Sequence, residues 1–392
     1  MSAPPCSIAL VTLRLLHTSD WHLGRALHEE SLLEDQAWAL ERLLELVRDE
    51  RPDVLVVAGD VYDRAVPPAE AVELLDEVLT RVAELSVPAV VIAGNHDSAE
   101  RLSFGARLLA PRGLHLRGGL QAAAEPIAIA GKGLVYAVPF VDPDVVRGLE
   151  EDPDIRGHAA AMERVVARAR ADAARRSLPT VLVAHAFVQG AAQTPDSERP
   201  VVVGSAGCVP AETIGGFDYA ALGHLHAAQE VSPGARYSGS LLKYSFSEAS
   251  HEKGVVLVEV ERGRATARTV ALGARRDVVR LSGTLEELLR REDLDRHAQD
   301  LVEVTLDDPD YVLDAKRRLQ ARFAHVLNVV RRELAPRPGE GAFGQQVAGA
   351  GKDDLKLFES FFDTVTGALP GPEHRTVFTD ALAELARTER AA

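Results

Sequence analysis

In the stretch LLHTSDWHLGR, Leu15 to Arg25, an apolar run stops on a carboxylate, Asp20, and an imidazole, His22, one residue apart. Both side-chain types bind metal ions, and residues two apart in an extended segment point to the same side. Taken alone, the pair reads equally as a turn aspartate beside a surface histidine. The pattern returns four more times. AGDVYD sets Asp60 behind a second apolar run, AGNHDS sets Asn95 and His96 behind a third, VAHAF sets His185 behind another, and ALGHLHA sets His224 and His226 behind the last. Five such endings in sequence order are hard to ascribe to chance. Even without His96, four His, two Asp and one Asn exceed the roughly four to six protein ligands of one transition-metal ion. The inventory suits two ions bridged by a carboxylate, a pair able to activate water and neutralise phosphate oxygens. It contains no thiolate, which disfavours a structural zinc site. It favours Mn²⁺, with Mg²⁺, Fe²⁺ or Zn²⁺ as alternatives.

Residues this far apart meet only if the elements carrying them converge. The runs Leu13–Leu16, Asp53–Ala58, Ala89–Ala93, Leu134–Val138, Thr180–Ala184 and Tyr219–Leu222 are short and apolar, most of them Val/Ile-rich, and lack polar alternation. That composition predicts strands covered on both faces. Helical patterns lie between them. Ser31–Glu50 has apolar residues at Leu33, Ala37, Leu40, Leu44 and Val47, with Ser31 and Glu34 spaced for a capping box. Another helix begins at Pro67-Pro68, and a third spans Ala159–Arg176. The alternation predicts a layered α/β domain over 13–275, with ligands at the carboxyl ends of its strands. Gly59, Gly94 and Gly223 each precede a candidate ligand, where a tight turn and close backbone approach are needed.

After Arg276 the pattern becomes strand, helix, strand, helix, strand, which predicts a small α/β domain over 276–334. A Pro/Gly-rich segment, 335–353, reads as a flexible linker. An amphipathic helix and a polar tail follow over 354–392, and residues 1–12 read as a loose leader with a second plausible start at Val11.

The 392 residues are 46% apolar, enough for a sizeable core. No run approaches the ~20 apolar residues that span a bilayer. A net charge of −15 argues against nucleic-acid binding by bulk charge alone. It leaves open a protein that brings positive charge as metal or on a partner. Cys6 and Cys208 are too few for a disulfide framework, and a reducing cytoplasm fits.

The order D-x-H, G-D-x-x-D, G-N-H-D, H, G-H-x-H resembles that of the calcineurin-like metallophosphoesterases. Within them, LLHTSDWHLGR, GDVYDRAVPP, GNHDS and YSGSLLKYSFSEASHEKGVVLVEV are similar to the SbcD family of bacterial double-strand-break repair nucleases. The resemblance implies a metallophosphoesterase domain of sheets flanked by helices, a small capping domain that contacts DNA, and a C-terminal helix that binds a partner. It implies one ion held by Asp20, His22, Asp60 and His226, and another by Asp60, Asn95, His185 and His224, with Asp60 bridging. It sets His96 beside the scissile phosphate as a catalytic group, oriented by Asp97. Asp63 stands where archaeal and eukaryotic relatives have histidine. The resemblance further implies an ATP-dependent 3′→5′ exonuclease and single-strand endonuclease that opens hairpins, a homodimer within a heterotetramer, and docking of helix 354–369 to an SbcC-type coiled-coil ATPase. A cyclic-nucleotide or other small-molecule phosphodiesterase, and an inactive scaffold for an ATPase, are the competing classes. A small phosphodiesterase needs neither cap nor tail, and a dead scaffold needs no complete ligand set.

Other residues carry two readings each. His17, inside the first strand, is core or supports the site from behind. Arg25 and Arg64 contact phosphates or are solvated. Tyr237, Ser238 and Lys243 contact substrate or hold a turn, and Cys208 reads as a small buried residue. In the tail, Leu355, Phe358, Phe361, Phe362 and Val365 sit at helical spacing. That face either packs on its own domain or docks on a partner.

Overall fold

The computed structural model describes residues 11–195, 197, 207–332 and 354–391, with side chains described except at 364 and 383–391. Most of the leader, Cys6 and the 335–353 linker lie outside the described residues. The chain divides into two compact units, Met1–Arg280 with Gln299–Val302, and Leu281–Ala298 with Glu303–Ala392.

The first unit contains all six expected strands, divided between two sheets. In spatial order, one sheet runs Arg264–Ala271, Gly254–Glu261, Leu13–Thr18, Val54–Ala58, Ala89–Ile92 and Leu114–Arg117. The other runs Gln229–Ser232, Ala235–Tyr237, Tyr219–Gly223, Thr180–His185, Gly133–Val138 and Ile127–Ile129. Leu13–Thr18, Val54–Ala58 and Ala89–Ile92 are parallel neighbours, as are Gly133–Val138, Thr180–His185 and Tyr219–Gly223. Leu13, Leu15, Val56 and Val90 of one sheet share a core with Val135, Val183 and Ala221 of the other. Facing sheets account for the missing polar alternation, because each of the six expected strands has protein on both sides.

Helix Gly157–Ala173 lays Met162, Val166 and Ala169 on the outer face of the second sheet. Helices Leu33–Glu50 and Ala69–Glu84 pack on each other, the latter against Ala89–Ile92. The capping box expected at Ser31 does not form. Ser31 lies in a two-residue strand paired with Ala26–Leu27, and the helix starts at Leu33 with no side-chain cap. Ala37 faces solvent, while Asp35, Gln36, Leu40, Leu43, Leu44 and Val47 are buried.

The second unit is built on a three-stranded sheet in the order Val278–Gly283, Leu301–Leu306, His325–Arg331, its first residues counted with the first unit. Helices Leu285–Arg290 and Ala315–Gln320 connect these strands, giving the expected strand–helix alternation. Here a capping box does form, between Thr284 and Glu287. The amphipathic tail helix is Asp354–Thr366, and the polar tail forms a second helix, Pro372–Ala391.

Candidate metal centre

The candidate ligands come from five parallel strand ends in two sheets. Asp20 and His22 follow Leu13–Thr18, Asp60 follows Val54–Ala58, and Asn95 and His96 follow Ala89–Ile92. His185 ends one strand of the other sheet, and His224 and His226 follow its neighbour Tyr219–Gly223. The backbone turns sharply at these points. Asp20, His22, Asp60 and His224 have φ of 53°, 46°, 48° and 110°, uncommon for residues with a Cβ. Such strain persists where surrounding structure enforces it, typically at functional sites. Gly94 is required by proximity: a Cβ there would lie 2.1 Å from Asp60 Oδ1.

Two groups of donors form around one oxygen. His22 Nε2 is 3.1 Å from His226 Nε2 and 3.8 Å from Asp60 Oδ2. His185 Nε2 is 3.4 Å from the same Asp60 oxygen and 3.0 Å from Asn95 Oδ1. His224 Nδ1 is also 3.0 Å from Asn95 Oδ1. The other Asp60 oxygen accepts the His96 backbone N–H at 2.9 Å, leaving Oδ2 between the two groups. Asp20 lies within ligand spacing of both, once with His22 and His226 and once with Asp60 and His185. Two nitrogens about 2.1 Å from one ion at roughly a right angle stand about 3 Å apart, the spacing found between His22 and His226.

The electrostatics fit cations. Burial, opposed by His185 and reinforced by the charge of Asp60, pushes Asp20 up to about 7. Burial works against the Asp60 charge too, yet His185, His22 and His96 hold its carboxyl well below the usual range. Burial opposes charge on His185, but Asp60 and Asp20 push it up to about 9. That proton supplies positive charge which a divalent ion would supply instead, releasing it. Burial pushes His22 and His224 down to about 3 and lowers His226, keeping these imidazoles neutral as ligation requires. His185 Nδ1 donates to the Ala58 carbonyl at 2.9 Å, which leaves its lone pair on Nε2. His22 Nδ1 is buried with no hydrogen-bond partner among the described residues, and Asp63 Oδ1 is 3.6 Å away. The donor set therefore fits a pair of divalent ions.

His96 is only 5% exposed and turns Nε2 toward the centre, 3.9 Å from Asp60 Oδ2. Its Nδ1 lies 2.8 Å from the backbone carbonyl of Asp63. Asp97 does not supply the orientation expected of it. Its carboxylate instead accepts the backbone N–H groups of Val61, Tyr62 and Gly94 at 3.0, 2.8 and 2.8 Å. Asp97 thus ties the Asp60 loop to the Asn95 loop, and the imidazole is held from the opposite loop by a main-chain oxygen.

The remaining residues resolve mostly to support. His17 bridges the sheets, its ring nitrogens 3.1 Å from Tyr219 Oη and 3.1 Å from the Leu222 carbonyl. Tyr237 is buried, donates to the Ala186 carbonyl at 2.6 Å and accepts from Val188 N at 2.9 Å, so it pins the loop after His185. Ser238 meets Ser19 at 2.8 Å, and Ser19 donates to Asp20 at 2.5 Å. Lys243 pairs with Asp277 at 2.8 Å. Arg25 reaches toward Asp63 at 3.4 Å and lies over the Tyr244 ring, while Arg64 is exposed. Cys208 is half-buried. Sequence reasoning missed Glu248, which meets His226 Nδ1 at 3.1 Å. It also missed Gln36, which donates to the His22 carbonyl at 2.7 Å.

Residues 13–228 match the calcineurin-like phosphoesterase family, and residues 274–366 match the family described as the type 5 capsule protein repressor C-terminal domain (SbcD_C). The SbcD subunit of the SbcCD nuclease of Staphylococcus saprophyticus is 30% identical over 357 residues, covering 91% of this chain and 94% of that protein. Two solved structures align at a TM-score of 0.40 each, covering 67% of this chain and all of theirs. One is a protein of Thermus thermophilus at 15% identity, the other a dimetal phosphatase from Danio rerio at 14%. The phosphoesterase match spans every strand end that carries a candidate ligand, and the second match adds the C-terminal region. The chain belongs to the SbcD nuclease family within the calcineurin-like phosphoesterases and is a metal-dependent phosphodiesterase.

Proposed function

We propose that this chain is the nuclease subunit of an SbcCD-type complex. It cleaves DNA phosphodiesters with two Mn²⁺ ions, as a double-strand 3′→5′ exonuclease and a single-strand endonuclease that opens hairpins, under ATP control by a coiled-coil partner. The observation that carries the reading is Asp60 Oδ2, set between His22 Nε2 at 3.8 Å and His185 Nε2 at 3.4 Å. One group would comprise Asp20, His22, Asp60 and His226, the other Asp60, Asn95, His185 and His224. Bound ions would make hydroxide available near neutral pH and offset charge on the non-bridging phosphate oxygens.

The chain's own groups do the rest. Asn95 Oδ1 lies 3.0 Å from both His185 Nε2 and His224 Nδ1, so three donor atoms converge on one point. With Nδ1 against the Asp63 carbonyl, His96 turns Nε2 toward the site. There it stabilises the developing negative charge or protonates the leaving oxygen. Arg25, 19% exposed at its side chain, is available to a phosphate at the edge.

The family match over 274–366 favours this reading over a small-molecule phosphodiesterase, which needs no such region. An SbcC-type ATPase is supported as partner by the name of the Staphylococcus relative and by an exposed apolar stripe on the tail helix. A homodimer is supported by Phe104 and Leu108, 86% and 83% exposed just after the His96 loop. Among the described residues, no helix is long and apolar enough to cross a membrane.

The test is digestion of an end-labelled DNA hairpin with Mn²⁺, with and without the ATPase and ATP. Opening at the hairpin that requires Mn²⁺ and rises with ATPase and ATP is expected. Hydrolysis of cyclic nucleotides with no cutting of DNA would overturn the reading.

A further inference from the structure

Glu248 is a carboxylate sealed from solvent, 0% exposed, and lies outside the motifs that mark the metal centre. Its Oε1 is 3.1 Å from His226 Nδ1 and accepts from Ser197 Oγ at 2.6 Å. Ser197 Oγ is itself 2.9 Å from His226 Nδ1. A serine hydroxyl has one hydrogen, and here it goes to the carboxylate, so the serine turns a lone pair toward the imidazole. Both groups are thus acceptors toward Nδ1, and Nδ1 carries the hydrogen. The ring's lone pair then lies on Nε2, the atom 3.1 Å from His22 Nε2. Lys253 completes the arrangement. It donates to Glu248 Oε2 at 2.5 Å and to the His226 carbonyl at 2.8 Å. One lysine therefore holds both the carboxylate and the backbone of the histidine which that carboxylate orients.

We propose that Glu248 is a positioning residue for the metal centre: with Ser197 and Lys253 it fixes the tautomer and ring plane of His226, and so sets the affinity for the ion on the Asp20–His22–His226 side. The inference rests on the two-ion reading above. A buried ion pair is a poor way to fill space, since apolar residues of similar volume are often as stabilising or more so. What apolar residues cannot do is orient an imidazole. Partners of this kind typically change metal affinity by about 10–100-fold when removed.

The test is calorimetric titration of the full-length, metal-stripped protein with Mn²⁺ alone. Wild type is compared with Glu248→Gln and with the double variant Glu248→Ala/Lys253→Met. The double variant removes both buried charges together, so neither is left unpaired. Wild type is expected to bind two ions. In the double variant one ion weakens about 10–100-fold, the other is unchanged, and the stripped protein melts like wild type. Glu248→Gln, which keeps an acceptor oxygen, falls between. Wild-type affinity for both ions in the double variant, or equal weakening of both with a lower melting temperature, overturns the proposal. If the double variant does not fold, Glu248→Gln decides: unchanged affinity for both ions overturns the proposal, and selective weakening of one supports it. Fewer than two ions in wild type overturns the two-ion reading itself, and this inference with it, before any variant is compared.

Discussion

His96 and Asn95 are neighbours in sequence yet do different work. Asn95 turns its oxygen toward His185 and His224, whereas His96 is anchored by the Asp63 carbonyl and only its Nε2 approaches Asp60. His96→Asn should therefore retain both metal ions and lower phosphodiester hydrolysis by about 10²-fold or more, the usual size of a lost acid or electrostatic donor. Metal content measured beside hydrolysis checks this; loss of an ion would make His96 a ligand instead. The candidate ligands were legible because each lies shortly after a short apolar run, a local signal. Glu248 was not, because its link to His226 crosses 22 residues through a segment with no periodicity. Nor was the role of Asp97: a carboxylate next to a histidine suggests a pair, but its oxygens turn back to three amides.

The strands show the same division between local and non-local signals. Their existence was evident from apolar runs, but those runs are equally consistent with one sheet or two, since either arrangement covers both faces. His17 is where the difference matters. It stands in one sheet and is held by Tyr219 and Leu222 of the other. Burial pushes it from an ordinary 6.5 down to about 3. The folded state therefore favours the neutral ring, and the unfolded chain takes the proton first as pH falls. This site's share of stability is intact above about pH 6.5 and is lost progressively down toward pH 3. Between pH 7 and 5 the loss is about 2 kcal/mol. His17→Leu should remove that slope while lowering stability at pH 7 by about 1–3 kcal/mol, because the Leu222 carbonyl and Tyr219 hydroxyl lose their partner. Urea unfolding in EDTA at pH 7 and pH 5 measures both effects. An unchanged slope in the variant would place the acid sensitivity elsewhere. The two Ser/Thr-x-x-Glu patterns carry the same lesson. Thr284 caps its helix, whereas Ser31 is committed to a short strand pair, which a four-residue pattern cannot reveal.

At the scale of the molecule, the C-terminal region carries the proposed docking surface. The sequence suggested a single helix whose Phe-rich face either packs on its own domain or docks on a partner. The structure divides that face. Phe358 stacks on Phe378 with ring centroids 4.2 Å apart, and Phe362 packs on His374 at 4.7 Å, both in the second helix. Glu359 and Arg375 pair across the two helices at 2.8 Å. What stays open is the helical stripe Leu357, Phe361 and Val365, continued past the helix end by Leu369, between 41% and 67% exposed. An amphipathic stripe of this spacing suits a groove or a coiled coil, and each apolar side chain it buries contributes roughly 1.5–3 kcal/mol. Phe361→Glu/Val365→Glu should therefore abolish co-purification with an SbcC-type ATPase and ATP-stimulated cutting of DNA ends. It should leave Mn²⁺-dependent hydrolysis of a small phosphodiester and the helical circular dichroism unchanged. Phe358→Glu/Phe362→Glu should differ, losing helicity together with partner binding, because its charges fall between the two tail helices. If the Phe361/Val365 variant binds the ATPase at wild-type affinity, this stripe is not the docking surface. If instead the Phe358/Phe362 variant alone loses binding with its helicity intact, those two rings leave Phe378 and His374 to meet the partner.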